Sequence, residues 1–422
     1  MRMPVKGKKL SIIALSMSAV LLSGSAIGNM LPPATTSATD SAAPLSNAPS
    51  SDSLSSDSPL NKAVKSPFSA DFNATPSSSA SSNTATSEAS TSSSSSSTML
   101  PAKPDDGQTT LATEGRDPAE FPAYVEQLKA QALQQGISQQ TIDSAFATVH
   151  FVDHAISGDK NQLENKVTLD DYLRRVLTES KISQGQELYQ QNSTALQKAS
   201  GRYGVQPQYI MALWGMESGY GKIQGKDDVV SALATLAFEG RREAFFTKEL
   251  MASLTIIDKG KATSEMLKGS WAGAMGQSQF MPSSYLRYGA DGDGDGKIDI
   301  WNNIDDVYAS TANYLSSEGW KNNQSWGQEI TLPADFDSTQ LGTKTNQMHS
   351  VSDWQKKGVV AADGKELPVS VTRAWIIKPD SDQGRAFMVY DNFRTIMHWN
   401  RSYYFAISVG MLADDIAQSN AQ

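Results

Sequence analysis

The chain has 422 residues, 39% hydrophobic and 19% charged, with no cysteine and a formal net charge of −9. The lack of cysteine excludes disulfides, thiolate metal sites, thiol nucleophiles and a lipid-modified N-terminal cysteine. The acidic balance, with no Lys/Arg cluster interleaved with aromatics where the chain reads as folded, excludes a nucleic-acid partner.

Residues 1–30 read as an export signal. Arg2, Lys6, Lys8 and Lys9 precede an apolar run from Leu10 to Gly28, then small residues and a proline pair at 32–33. Cleavage is expected between Ala26 and Met30. The alternative is an uncleaved anchor, because about 19 apolar residues suffice to span a bilayer. Residues 31–115 are Ser, Thr, Ala and Pro with few large apolar side chains. Such a segment cannot bury enough surface to offset its ordering entropy, and it reads as a disordered tether with a reach of about 50 Å.

From Asp117 the patterns turn helical. Helices are expected over Pro118–Gln135, Ser138–Phe146, Asp170–Gln191, Gln206–Ser218, Ser231–Phe238, Arg242–Lys259, Asp305–Glu318 and Tyr403–Ala417. His150 and His154, spaced i,i+4 with no third ligand in view, read as a helix-surface pair rather than a metal site. Between about 328 and 390 the texture changes. Glu329–Leu332, Val369–Thr372, Trp375–Ile377 and Phe387–Tyr390 are short β-prone runs separated by Asp, Gly and Pro turns. The expected class is α+β, mostly α, with a small β subdomain inserted in a helical protein.

The helix over 206–218 carries the most chemistry. Ile210, Leu213, Trp214 and Glu217 fall on one face at i, i+3, i+4 and i+7, which puts a carboxylate on an apolar stripe. An ionised carboxylate there costs several kcal/mol, roughly, so Glu217 is expected to hold its proton near neutral pH. A protonated Glu beside an aromatic suits a glycosidic leaving oxygen; a Glu bound to Arg or Lys in a core network is the structural alternative. Nearby Asp227, Asp228 and Glu239 lie on no comparable apolar stripe.

Residues 269–301 hold a second constellation. Small residues surround Trp271, Met275, Gln279 and Phe280, so backbone can approach a ligand and an amide can orient it. Asp291, Asp293 and Asp295, followed by Gly296 and Lys297, then match the first half of an EF-hand loop, with the Lys297 carbonyl at position 7. Asn302 stands where the usual bidentate Glu would be. Asp305 is positioned to close a longer loop, and Asp299 to bind through water. The expected ion is Ca²⁺ in a structural role.

Taken together, residues 116–422 resemble the lytic murein transglycosylase B family, lysozyme-like enzymes that cleave bacterial peptidoglycan. The stretches that carry the resemblance are Trp214-Gly-Met-Glu-Ser-Gly-Tyr-Gly, Ala232-Leu-Ala-Thr-Leu-Ala-Phe, Gly269-Ser-Trp-Ala-Gly-Ala-Met-Gly-Gln-Ser-Gln-Phe-Met-Pro-Ser, Asp291-Gly-Asp-Gly-Asp-Gly and Asn392-Phe…Trp399-Asn-Arg-Ser. They follow the family's order. The resemblance implies a lysozyme-like core (206–327) with a helical subdomain (116–205), the β-rich insert (328–390) and a helical return (391–422). It implies Glu217 as sole acid/base, a glycan cleft lined by Tyr172, Ser270, Gln279, Phe280, Tyr314, Trp399 and Asn400, and Ca²⁺ in the Asp loop. The family usually has Tyr-Asn-x-Ser where this chain has Trp399-Asn400-Arg401-Ser402, and a tyrosine where Phe405 stands. The activity implied is cleavage of the β-1,4 bond between N-acetylmuramic acid and N-acetylglucosamine, leaving 1,6-anhydromuramoyl ends. One carboxylate by itself also allows hydrolysis, and a non-catalytic, calcium-stabilised glycan-binding protein is the rival from another class. The implied setting is the bacterial periplasm, with peptidoglycan strands as partner, other cell-wall enzymes nearby, and membrane contact only through an uncleaved N-terminus.

Overall fold

In the computed structural model the described residues are 116–161, 167–380 and 384–418. The expected export signal and tether lie outside them. The helices are α1 (Phe121–Gln134), α2 (Gln139–Phe146), α3 (Asp153–Asn161), α4 (Leu169–Val176), α5 (Glu179–Gln191), α6 (Ser193–Tyr203), α7 (Pro207–Ser218), α8 (Val229–Glu239), α9 (Glu243–Asp258), α10 (Pro282–Tyr288), α11 (Ile304–Ser317), α12 (Val351–Lys356), α13 (Asp391–Trp399) and α14 (Tyr403–Gln418). The strands are β1 (Asp227–Asp228), β2 (Lys268–Gly269), β3 (Gly327–Thr331), β4 (Val360–Ala361), β5 (Trp375–Ile377) and β6 (Ala386–Val389). The chain is mostly helical with small antiparallel sheets, as its patterns predict.

Side-chain caps set several helix starts. Ser138, Thr168, Thr178, Asp228 and Ser350 each accept a hydrogen bond from a backbone N–H of the first turn. Thr178 explains one departure from expectation. The stretch 170–191 is two helices, because Leu177 leaves helical geometry and the Thr178 hydroxyl takes the Lys181 N–H to start α5. Helices α3, α6, α10 and α12 are not among the helices the patterns predict, whereas α13 begins the expected helical return over 391–422. Val369–Thr372 is no strand: Val371 N–H bonds back to the Pro368 carbonyl in a turn, and Val369 is exposed. His150 precedes α3 while His154 lies within it, so the two do not share a helix surface.

The second sheet runs β4-β3-β6-β5, antiparallel throughout, with Gly327 opposite Val389 and Trp375 opposite the same Val389. Its faces serve two cores. Trp375, Ile377, Phe387 and Val389 point into the main helical core, while Ile376, Met388 and Ile330 pack with Val351, Trp354 and Val359 on the other side. A sheet buried on both faces needs apolar residues at every position, so β5 and β6 read as continuous apolar runs rather than alternating ones.

At the centre of the main core lies α7, flanked by α5, α6, α11 and α14. Every residue from Tyr209 to Ser218 is buried. The expected apolar stripe with a wet opposite face is therefore replaced by a helix buried all round.

Candidate active site

Helix α7 ends on Gly219, in the left-handed conformation with φ 57°, and Tyr220 follows at φ 61°. A non-glycine residue holds that backbone only where its surroundings compel it. Here the Tyr220 hydroxyl donates to the Lys181 carbonyl at 3.0 Å, and its ring meets the Trp214 ring edge-on at 5.4 Å. Gly215 makes room for that ring, since a Cβ there would come within 2.6 Å of it. The Gly-Met-Glu-Ser-Gly-Tyr sequence thus builds one locked turn that presents Glu217.

Glu217 is 1% exposed. Its Oε1 accepts a hydrogen bond from Trp399 Nε1 at 2.7 Å. Burial pushes its pKa up to about 8, while the Trp399 indole and the Lys181 ammonium pull the other way. Lys181 stands on α5 and donates from Nζ to the Gly215 carbonyl at 3.2 Å. Its own pKa is lowered by burial and supported by the Glu217 charge. Through its carbonyl and its ammonium, Lys181 therefore holds the Glu217 turn at Tyr220 and at Gly215.

An aromatic wall continues from Trp399. Its ring lies 4.6 Å from Tyr314 and 5.2 Å from Phe280, and Tyr288 backs Tyr314 at 4.4 Å. Tyr172 packs on Tyr404 at 5.6 Å, and its hydroxyl is pushed up to about 12 by burial, with the Glu217 charge adding to the rise. The loop from 269 to 280 folds on itself through bridges from Gly269 to Met275 and from Met275 to Phe280. Ser270 Oγ accepts from the Ala274 N–H at 3.1 Å. Gln279 sits at φ 48° and donates from Nε2 to the carbonyls of Gly276 and Gln224. Among the described residues Tyr220 and Gln279 are the two non-glycines with left-handed backbone, the first in the turn after Glu217 and the second next to Phe280. Asn400, buried beside Trp399, accepts the Ser402 N–H at 3.1 Å.

The structure thus joins Glu217, Trp399, Phe280 and Tyr314 by direct contact, places Tyr172 within electrostatic reach, and carries Ser270, Gln279 and Asn400 on the adjoining segments. The other acidic residues near in sequence are engaged elsewhere. Asp227 meets His154 at 2.9 Å, Asp228 caps α8 and faces Lys268, and Glu239 accepts the Arg241 N–H. Phe405 is packed in the core.

In the Asp loop, carboxylate oxygens of Asp291, Asp293 and Asp306 lie within 4.8 Å of one another. Asp295 and Asp305 do not belong to that group, and Asp295 Oδ1 accepts the Lys297 N–H instead. Asp306 is fully buried in the first turn of α11, with its oxygens accepting the Gly292 and Asp299 N–H groups. Burial pushes its pKa up, and the charges of Asp293 and Asp291 add to the rise. Three hard oxygen donors this close suit a divalent cation such as Ca²⁺. Two residues escaped the sequence reading. Lys181 belongs to no motif and gives no signal. Asp306 could have been found from periodicity, since it shares the buried face of α11 with Ser310 and Tyr314.

Residues 120–414 match the family model of the transglycosylase SLT domain. The membrane-bound lytic murein transglycosylase B of Escherichia coli (strain K12) is 32% identical over 257 residues, which is 60% of this chain and 68% of that protein. The crystal structure of SltB3 from Pseudomonas aeruginosa, in complex with NAG-NAM-pentapeptide, is similar with a TM-score of 0.67 at 40% identity, covering 70% of this chain and 79% of that one. The Escherichia coli lytic transglycosylase Slt35 in complex with calcium is similar with a TM-score of 0.62 at 29% identity, covering 75% and 99%. With its helical core, its locked Glu217 turn and this match over most of its length, the chain belongs to the SLT transglycosylase family.

Proposed function

We propose that the protein is a lytic transglycosylase that cleaves the β-1,4 bond between N-acetylmuramic acid and N-acetylglucosamine in peptidoglycan, with Glu217 as its single acid/base. The observation that carries this reading is a buried carboxyl whose pKa of about 8 keeps it protonated at neutral pH, held by an indole at 2.7 Å. An indole N–H only donates, so Oε1 serves as acceptor and the acidic proton belongs on Oε2. That proton passes to the glycosidic oxygen as its bond to C1 of the muramoyl residue breaks. The N-acetyl carbonyl of the same sugar stabilises C1. The Glu217 carboxylate, now stabilised by Trp399 and Lys181, takes the proton of the C6 hydroxyl as O6 closes on C1, leaving a 1,6-anhydromuramoyl end. Two-carboxylate glycosidases need a second carboxylate across the bond, as base or nucleophile; Asp227, Asp228 and Glu239 are bound elsewhere, which supports the one-carboxylate route. The aromatic wall of Phe280, Tyr314 and Trp399, with Tyr172, Ser270, Gln279 and Asn400, forms the glycan cleft in this reading.

The substrate is taken to be glycan strands carrying stem peptides, the chemistry that SltB3 holds as NAG-NAM-pentapeptide. One Ca²⁺ on Asp291, Asp293 and Asp306 holds the Asp loop against α11 and takes no part in the chemistry; the calcium complex of Slt35 supports it. The protein is exported to the periplasm by residues 1–30, with 31–115 as a tether to the enzyme. Among the described residues no helix is long and apolar enough to cross a membrane. Mass spectrometry of fragments released from purified sacculi tests the reaction. Anhydro ends are expected; reducing ends would make the enzyme a hydrolase, and no release would leave a glycan-binding protein.

A further inference from the structure

Beside the Glu217 turn lies a pocket of about 660 Å³ for which the cleavage reaction has no use. Lys222, Ile223, Lys226, Met266, Lys268 and Trp301 line it. Its chemistry is mixed in an informative way. Three lysines converge there on a protein whose net charge is −9. Lys268 leans on Asp228 at 3.3 Å and Lys222 on the neutral Gln184 at 2.8 Å, while Lys226 makes no ion pair among the described residues. Between these cations the surface is apolar. Ile223 is 46% and Met266 39% exposed, two of the five large hydrophobic residues exposed on the described surface. Trp301 adds an aromatic face, its indole nitrogen anchored on the Lys268 carbonyl at 2.9 Å.

The pocket shares its wall with the active site. Gly221 follows the Glu217 turn directly, Gln224 donates to the carbonyls of Gly221 and Trp301, and the Gln224 carbonyl accepts from Gln279 of the cleft. Gly225, at φ 84°, lets this wall close on β2, because a Cβ would collide with the Gly269 carbonyl. A ligand bound here would be both anionic and partly apolar, and joined to whatever occupies the cleft.

We propose that this pocket receives the stem peptide of the peptidoglycan strand, its free C-terminal carboxylate facing Lys226 and Lys222 and its apolar side chains resting on Ile223, Met266 and Trp301. The proposal rests on the transglycosylase reading above and names a second recognition element for the same substrate. It makes the enzyme sensitive to the peptide as well as to the sugar.

The test is the double charge reversal Lys222→Glu with Lys226→Glu, both at exposed positions. Cleavage is measured on peptide-bearing strands and on the same strands stripped of peptide by an amidase. On peptide-bearing strands KM should rise about tenfold with kcat unchanged, since charge complementarity at an exposed rim acts mainly on encounter and binding. On stripped strands neither constant should move. Equal losses on both substrates would make the pocket a glycan subsite, and no change on either would empty it of function; both results overturn the proposal. If the wild type cleaves neither substrate, the transglycosylase reading fails on its own account. The pocket is then judged by titrating wild type and double variant with a disaccharide-pentapeptide, read by tryptophan fluorescence. Weaker binding by the variant supports the pocket, and equal binding refutes it. Ile223→Ser gives an independent arm, with a KM increase expected on peptide-bearing strands alone.

Discussion

Two groups of carboxylates in this protein live in opposite surroundings. Glu217 is enclosed by apolar and aromatic side chains, receives one indole hydrogen bond, and is pushed by burial towards its neutral form. Asp291 and Asp293 sit in a glycine-rich loop whose backbone N–H groups point at them, Gly296 at Asp291 and Asp295 at Asp293, and the Asp293 carboxyl is held below its usual range by hydrogen bonding to Asn303. In the proposed reading the same functional group serves as a proton donor in one setting and as an ion ligand in the other. Desolvation of a buried carboxyl favours the acid; dipoles oriented at an exposed one favour the anion. What separates Glu217 from Asp293 is burial: Asp306, buried as Glu217 is, is likewise pushed up although two backbone N–H groups point at it.

The sharpest way to break the comparison is to remove the acid. Glu217→Gln should cut glycan cleavage by about 10³-fold or more, because a positioned general acid contributes 10²–10⁴ and here acts twice. Sacculus binding and fold should persist, since a neutral amide suits a site that already holds a neutral carboxyl. Turnover above about a thousandth of wild type in a muropeptide-release assay would remove Glu217 from its role. The same variant tests the pKa through stability. The folded pKa of about 8 lies above the ordinary value of 4.5, so Glu217 favours the folded state fully below about pH 4.5 and that contribution is lost as pH rises through 8. Thermal melts should therefore show Glu217→Gln gaining on wild type between pH 5 and pH 9; parallel curves would contradict the raised pKa.

The next effect comes from the indole. Trp399→Phe keeps the ring in the aromatic wall but removes the donor, and kcat should fall about 10–100-fold through misplacement of the carboxyl. Activity needs the protonated acid, so it should decline above about pH 8 in wild type. Without the indole, which lowers that pKa, the alkaline limb should move upward. An unshifted limb would reduce Trp399 to a packing residue.

A smaller change is expected at Lys181. Lys181→Met should lower kcat several-fold and also move the alkaline limb upward, while Lys181→Arg should restore both, because the cation is a modest influence beside burial. A loss confined to KM would place Lys181 in substrate binding instead.

The smallest effect lies in the other carboxylate setting. With Ca²⁺ at a hundredfold excess over its Kd, the folded state should gain about 2.7 kcal/mol. Without a position-12 Glu the site should be weak, with Kd of about 10⁻⁴–10⁻³ M. Melts with calcium and with chelator read this directly, and Asp306→Asn should abolish the difference. Equal midpoints, or activity lost on chelation while the melting temperature stays constant, would end the structural-ion reading.

Much of the site was legible from local pattern. The glycine-bounded turn after an apolar helix located Glu217, and the Asp-x-Asp-x-Asp-Gly spacing located the acidic loop proposed to hold an ion, because both depend on residues close together in the chain. The motif resemblance added the cleft residues. What the chain order could not give was contact across distance. Trp399 meets Glu217 from 182 positions away, and only the packing of α13 on α14, which itself lies against α7, brings its indole to the Glu217 carboxyl. Lys181 is one polar position on an ordinary helix until α5 packs on α7. Asp306, not Asp305, joins Asp291 and Asp293, because the rotation of α11 decides which carboxyl faces the loop. The sequence determined which residues had the chemistry to serve; tertiary structure decided which of them share a low-dielectric site, since burial and hydrogen-bond partners, set by distant packing, tune a carboxyl's proton affinity.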